Sequence, residues 1–261
     1  MSTPTITFNN GATYERYMGL WSQTAGEKFL DWLQPKPGQH WLDIGCGNGA
    51  FTELLVARYA PSALDGLDPS AEQLTFAAQR PALKAAHWHQ GDAMALPLPD
   101  ASVDATVMPL VIFFVPDPAK GVAEMVRVTR PGGSVSAYAW DMPGGGFPYF
   151  PLQLTLREMG AVVASPPSPD ASKIDELERL WREAGLVDVQ TTAITVQREF
   201  KDFEDYWETV LGGPSVVATL ATLTPDRIGE LQEKVRARLS TSADGRILAS
   251  GRAHAVKGHR A

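Results

Sequence analysis

Cysteine is nearly absent from this 261-residue chain: a single thiol, Cys46, stands alone. An internal disulfide is therefore excluded, and so is a metal site built on several thiolates. Positive charge is also scarce. Lys and Arg number 23 against 30 Asp and Glu, a formal net charge of −7, so no basic footprint for nucleic acid is expected. The most basic stretch, Lys234 to Arg238, reads as the solvated face of a helix. No apolar run approaches the ~18 residues of a membrane span, and the chain opens without a charged-then-apolar leader. Among the five histidines none joins an Asp/Glu cluster at metal-ligand spacing, so no metal is expected. These absences point to a cytoplasmic protein free of membrane and nucleic acid, long enough to bury one good core.

What is present begins with an alternation of strand-like and helix-like segments. His40 to Ile44 is a short apolar run stopped by glycines, and Ala50 to Tyr59 follows at helical spacing. Further strands are expected at Ala63–Leu67, Leu83–His89, Val103–Met108 and Ser134–Trp140. Ser70 with Gln73 three residues on opens one helix as a capping box. Asp117 before Pro118 opens another, running through Val128. Strand and helix alternating at this pace predict an α/β, doubly wound, mostly parallel sheet. Outside that rhythm lie residues 1–34, with helical stretches near Tyr14–Trp21 and Glu27–Leu33, and residues 142–173. Later come a helix ending at Gly185, a strand Val187–Phe200, two more helices and a last strand Arg246–Val256. We read 1–261 as one domain, with 1–34 as a helical cap and 142–173 as a lid insertion. Gly144-Gly145-Gly146 would give that lid backbone freedom, and the Ser165–Asp170 Pro/Ser stretch its boundary.

The stretch LDIGCGNG (42–49) places Gly45, Gly47 and Gly49 between a strand and a helix N-terminus, where a ligand can approach the backbone. Spacing alone leaves the ligand open, because Gly45-x-Gly47-x-x-Ala50 also satisfies the dinucleotide fingerprint. Charge separates the candidates. A pyrophosphate would be repelled by Asp43, two residues before the first glycine, whereas a sulfonium and an ammonium would be attracted. Asp68 then suits a ribose diol, and Asp92 an exocyclic adenine amine. Three carboxylates at three strand ends fit S-adenosylmethionine better than NAD.

LDIGCGNG (42–49), GLDPS (66–70), GDAMALPLPDASVDATV (91–107) and VTRPGG (128–133) together resemble a class I S-adenosylmethionine-dependent methyltransferase. The similarity is to the ubiquinone/menaquinone C-methyltransferase-like branch and covers roughly residues 40–140. The resemblance implies a Rossmann-like seven-stranded sheet with its last strand antiparallel and a helical cap over the C-terminal strand ends. It implies a cofactor site of Asp43, Gly45, Cys46, Gly47 and Gly49 around the methionine moiety. Asp68, with Pro69 and Gln73, would hold the ribose, and Asp92, Ala93 and Met94 the adenine, with Met108 facing the amino group. It also leans toward Tyr17 and Trp21 closing over the cofactor. As read from spacing alone, these two with Tyr14 and Met18 are equally an amphipathic helix docking on the core.

One departure bears on mechanism. Ile112-Phe113-Phe114-Val115 stands where relatives carry paired histidines, so no imidazole base is expected and no catalytic residue is assigned. Asp141 and Glu15 are the only carboxylates considered as bases. Methyl transfer needs none if alignment supplies the rate. A pocket from Tyr14, Phe113, Trp140 and Tyr149, with Phe147 nearby, predicts a small, largely apolar or aromatic substrate, methylated on O, N or C. The alternatives are a non-catalytic protein binding S-adenosylmethionine or S-adenosylhomocysteine, and, further off, an NAD-dependent oxidoreductase. Oligomeric state is not predicted.

Overall fold

A computed structural model describes residues 15–261. Tyr14 and the rest of the expected cap before residue 15 lie outside the described residues. Strands β1 (His40–Ile44), β2 (Ala63–Asp68), β3 (His87–Gln90), β4 (Val103–Pro109), β5 (Thr129–Trp140), β6 (Leu186–Phe200) and β8 (Ile247–Arg260) form one sheet in the order β3-β2-β1-β4-β5-β8-β6. The pairings from β3 to β5 are all parallel, while β8 runs antiparallel to both β5 and β6. A two-residue strand β7 (Ser240–Thr241) adds an eighth at the edge. Strand order reverses between β1 and β4, and the glycine turn sits at that point. A parallel sheet covered on both faces buries its central strands completely, which is why Trp41, Leu42, Ile44, Ala105 and Val107 are all solvent-free.

The local signals act as their chemistry dictates. Ser70 Oγ accepts from the Gln73 amide at 3.3 Å, and Asp117 Oδ1 accepts from the Lys120 amide at 3.1 Å with Pro118 opening the helix Pro118–Val128. Gly66 must be glycine for packing reasons, because a Cβ there would lie 2.4 Å from the Trp88 ring.

Several expectations need correction. The two N-terminal helical stretches are one helix, Leu20–Leu33, entered through a π-turn at Glu15–Gly19. The third strand starts only at His87, since Pro81–Leu83 forms a 3₁₀ turn that the apolar run concealed. Three helices, not two, follow β6: Phe203–Val210, Pro214–Leu220 and Pro225–Arg236. The last strand continues to Arg260.

The β6 and β8 strands outrun the sheet. Trp140, the last residue of β5, pairs with Ala253, which pairs with Ile194. Thr195–Phe200 and Ile247–Arg252 therefore continue as a two-stranded ribbon beyond the C-terminal strand ends. Residues 142–173, whose helix is Phe150–Glu158, meet this ribbon where the Arg252 amide donates to the Gly146 carbonyl at 2.9 Å, and of the three helices after β6, Phe203–Val210 packs against β6 itself. Arg227 ties the two segments by donating to the Met159 carbonyl at 2.7 Å. Gly144–Gly146 is not a free hinge. A Cβ on Gly144 would meet the Asp141 carboxylate at 2.1 Å, and one on Gly146 the Arg252 carbonyl at 2.4 Å. These glycines permit close approach, and the segment's feet are joined by Met142 N–H donating to Ser172 Oγ at 3.0 Å.

Candidate functional site

The glycine turn adopts left-handed backbone at Gly45 (φ +72°), Gly47 (φ +52°) and Gly49 (φ +81°), which is why only glycine suits it. Each serves a different end. A Cβ on Gly45 would strike Val111 at 2.4 Å, and one on Gly49 would strike Leu83 at 2.8 Å, whereas one on Gly47 would meet nothing within 4 Å. Gly47 alone therefore borders open space. Val111 is aimed at Gly45 by Leu110, which ends β4 in the left-handed region (φ +60°) and donates to the Tyr138 carbonyl at 2.7 Å. Nothing in the sequence signalled that leucine.

Asp43 is fully buried beneath this turn. Its Oδ2 accepts from Thr52 Oγ1 at 2.6 Å, but its Oδ1 has no partner among the described residues. Burial, only partly offset by the Thr52 hydroxyl, and then the nearby Asp68 charge push this carboxyl up to about 7. Asp68, at the end of β2, accepts from the Gly47 amide and the Ser70 amide, each at 2.9 Å. Burial raises its pKa too, against those two bonds. Cys46 is buried, and burial with the two carboxylates holds its thiol well above the ordinary range, so it is a packing residue and no thiolate nucleophile.

Beyond β3, exposed Asp92 accepts from the Met94 amide at 2.8 Å and forms an isolated bridge with Ala95. Ala93 and Met94 are half-buried, Pro69 is exposed, and Gln73 is buried at the start of its helix. Met108 is buried near the end of β4. The 92–100 loop is held by two residues that sequence reasoning missed. Arg127 donates to the Leu96 and Leu98 carbonyls at 2.9 Å each, and Glu124 accepts from the Leu96 amide at 2.8 Å and pairs with Arg127. Arg127→Met should accordingly loosen the loop without altering Asp68 or the glycines. We expect about a three- to tenfold weaker cofactor affinity, at ~0.5–1.5 kcal/mol per net hydrogen bond, measured by calorimetry; unchanged affinity would show that the loop needs no such support.

The aromatic residues gather over the strand ends. Tyr17 stacks on Tyr149 with ring centroids 4.6 Å apart, and Trp21 meets Tyr149 edge-on at 6.3 Å. The Tyr149 hydroxyl donates to the Tyr17 carbonyl at 2.5 Å and accepts from Trp21 Nε1 at 3.0 Å. Phe147, at 5.8 Å, and Tyr206, at 6.0 Å, flank the same ring. Phe113 lies buried in a 3₁₀ turn against Phe114, and its carbonyl accepts from Ser168, which ties the Pro/Ser stretch to that turn. Trp140 is buried at the end of β5.

The base candidates fare differently. Asp141 is buried and committed: Arg252 donates to its Oδ2 at 2.5 and 3.1 Å, and the Gly144 amide to its Oδ1 at 2.9 Å. It is a clasp for the lid's first foot. His40 and His89 bond opposite oxygens of Asp65 at 2.6 and 2.7 Å, on the other side of the pleat from Asp43 and Asp68. No group of three His, Cys, Asp or Glu among the described residues is placed to hold a metal, and no helix among them is long and apolar enough to cross a membrane.

Residues 42–137 match the family model for a methyltransferase domain. Over that stretch the chain is similar to a methyltransferase domain. It is similar to a malonyl-[acyl-carrier protein] O-methyltransferase of Serratia marcescens, 38% identical over 110 residues, 42% of either chain. A chloroplastic 2-phytyl-1,4-beta-naphthoquinone methyltransferase of Arabidopsis thaliana is 36% identical over 124 residues, 45% of this chain and 46% of that one. The chain thus spans less than half the length of these relatives. Among solved structures, a phosphoethanolamine N-methyltransferase of Haemonchus contortus in complex with S-adenosyl-L-methionine superposes with a TM-score of 0.58. It is 16% identical, over 98% of this chain and 61% of that one. A likeness at that identity shows the methyltransferase fold alone.

Proposed function

We propose that this protein transfers a methyl group from S-adenosylmethionine to an O, N or C atom of a small, largely apolar or aromatic molecule. The observation that carries this reading is the buried, half-satisfied carboxylate of Asp43 behind Gly47, the one glycine of the 45–49 turn that borders open space. A buried anion with an unpartnered oxygen is costly unless a cation arrives, and the donor's sulfonium and ammonium supply one. In this reading the backbone at Gly45, Cys46, Gly47 and Gly49 lines the methionine part. Asp68, with Pro69 and Gln73, receives the ribose hydroxyls, and Asp92, Ala93, Met94 and Met108 complete the adenine and amino-acid ends. Tyr17 and Trp21 close over the donor, with Phe113, Trp140 and Tyr149 nearer the substrate.

When bound, the donor supplies a methyl already attached to a good leaving group. The protein's task is then to align nucleophile, methyl and sulfur, worth ~7–11 kcal/mol of the barrier, and to keep water out. The commitment of Asp141 to Arg252 supports a mechanism by positioning, without a carboxylate base. We further propose that the chain is one domain acting in the cytoplasm on a small molecule, with no nucleic-acid partner, and that 15–34 and 142–173 cover the site.

Calorimetry with S-adenosylmethionine, S-adenosylhomocysteine and NAD tests the reading. We expect the first two to bind and NAD not to; NAD binding alone would overturn it. Asp68→Ala should weaken the donor by at least tenfold, because charge-assisted hydrogen bonds contribute ~1.5–3 kcal/mol each and the Gly47 amide loses its acceptor as well.

A further inference from the structure

Tyr206 is a buried hydroxyl that the fold does not use. It lies in the helix Phe203–Val210, with no exposed surface, and its oxygen has no hydrogen-bond partner among the described residues. Buried hydroxyls in native proteins are paired, since an unmet one costs about 1–3 kcal/mol. The ring is not idle: it packs against Tyr149 at 6.0 Å, Phe200 at 5.3 Å and Phe203 at 6.1 Å. Phenylalanine would satisfy every one of those contacts. What packing does not account for is the oxygen.

The position gives the oxygen a use. Tyr206 touches Tyr149, the ring on which Tyr17 stacks, so it stands one ring removed from a residue that the methyltransferase reading puts over the donor. It belongs to the upper storey formed by the ribbon of β6 and β8 and by residues 142–173, beyond the C-terminal ends of the strands. That is where a methyl acceptor must enter in an open parallel sheet. The rings around it offer shape and apolar surface. A neutral donor among rings suits a largely apolar molecule that carries a hydrogen-bond acceptor. Burial also raises the hydroxyl's pKa above the ordinary tyrosine value, so it stays protonated and can donate at any physiological pH.

We propose that Tyr206 is a substrate-contacting residue whose hydroxyl donates a hydrogen bond to an oxygen on a largely apolar acceptor molecule and so sets substrate choice. The proposal deepens the methyltransferase reading and rests on it. The step is binding, with no bond made or broken at Tyr206.

The test uses the full chain saturated with S-adenosylhomocysteine and two probes of similar planar shape, acetophenone and α-methylstyrene, in which a methylene replaces the carbonyl oxygen. We expect the wild type to bind the ketone about tenfold more tightly than the hydrocarbon, and Tyr206→Phe to abolish that preference. The variant should keep its affinity for S-adenosylhomocysteine and its melting temperature, because the hydroxyl is not used within the fold. A variant that keeps the preference would overturn the proposal, as would a wild type that binds S-adenosylhomocysteine but neither probe. A variant melting several degrees lower would show that the hydroxyl belongs to the fold, with the same consequence. Failure of the wild type to bind S-adenosylhomocysteine would remove the underlying reading and this proposal with it.

Discussion

Asp43→Asn will stabilise the cofactor-free protein at pH 8 while removing most of its affinity for S-adenosylmethionine. The two effects have one cause. Burial raises the Asp43 carboxyl from an ordinary value of 3.8 to about 7. A carboxyl raised on folding contributes its full stability below the unfolded pKa, and that contribution is lost as pH rises through the folded one. At pH 8 the folded chain therefore bears the whole cost, about 3 pH units at ~1.4 kcal/mol each, or roughly 4 kcal/mol. Asparagine avoids the charge but places an amide where Oδ1 had no partner, giving back about 1–3 kcal/mol. The net expectation is a gain of about 1–3 kcal/mol at pH 8 that becomes a loss of about 1–3 kcal/mol near pH 4, where the wild-type carboxyl is protonated and only the amide's cost remains, read from urea unfolding at both values. Cofactor binding runs the other way, because a sulfonium and an ammonium favour the ionised carboxylate. Wild-type affinity should fall by up to about tenfold per pH unit below 7, with proton release visible as a buffer-dependent binding enthalpy. Asp43→Asn should bind weakly with no such slope. A variant less stable than wild type at pH 8 would contradict the account.

The second large effect separates two glycines that look alike in sequence. Gly45→Ala should cost about 2–5 kcal/mol of stability. The left-handed backbone at φ +72° costs a residue with a Cβ ~1–2 kcal/mol, and displacing Val111, 2.4 Å from the new carbon, adds ~1–3 kcal/mol. Because only the second contribution involves Val111, the pair Gly45→Ala with Val111→Ala should recover part of the loss and never all of it. Gly47→Ala has the backbone cost but no collision, since its Cβ meets nothing within 4 Å. It should melt only a few degrees below wild type, less far than the Gly45 variant, yet bind the donor at least about tenfold more weakly, because the methyl occupies the space the donor needs. Equal melting temperatures for the Gly45 and Gly47 variants would refute the division. So would undiminished donor affinity in the second.

How much of the site was legible follows from the range of the interactions involved. The glycine spacing, the acid before it and the acids at the ends of β2 and β3 are local features, and the turn at Gly45–Gly49 and the caps at Ser70 and Asp117 stand where the sequence puts them. The doubly wound order was equally legible, because strand length and apolar period are read within a few residues. Glycine at 144–146 shows the limit. Three in a row suggest freedom, but their neighbours in space, the Asp141 carboxylate and the Arg252 carbonyl, make them close-approach positions.

The sequence alone determined the ligand class, since charge placement around a glycine turn is a matter of composition and spacing. Tertiary structure decided what each of those groups must endure. Whether Asp43 is hydrated or stripped of water depends on the tertiary packing around it, and only the fold shows one oxygen capped by Thr52 and the other without a partner among the described residues. Arg127 reaches the 92–100 loop across about 30 residues of chain, and Asp141 is removed from the pool of bases by an arginine 111 residues away. Tyr206 came from a helix that had no assigned role. Side chains far apart in sequence meet only because the sheet brings their strands into register, and no local pattern records that meeting.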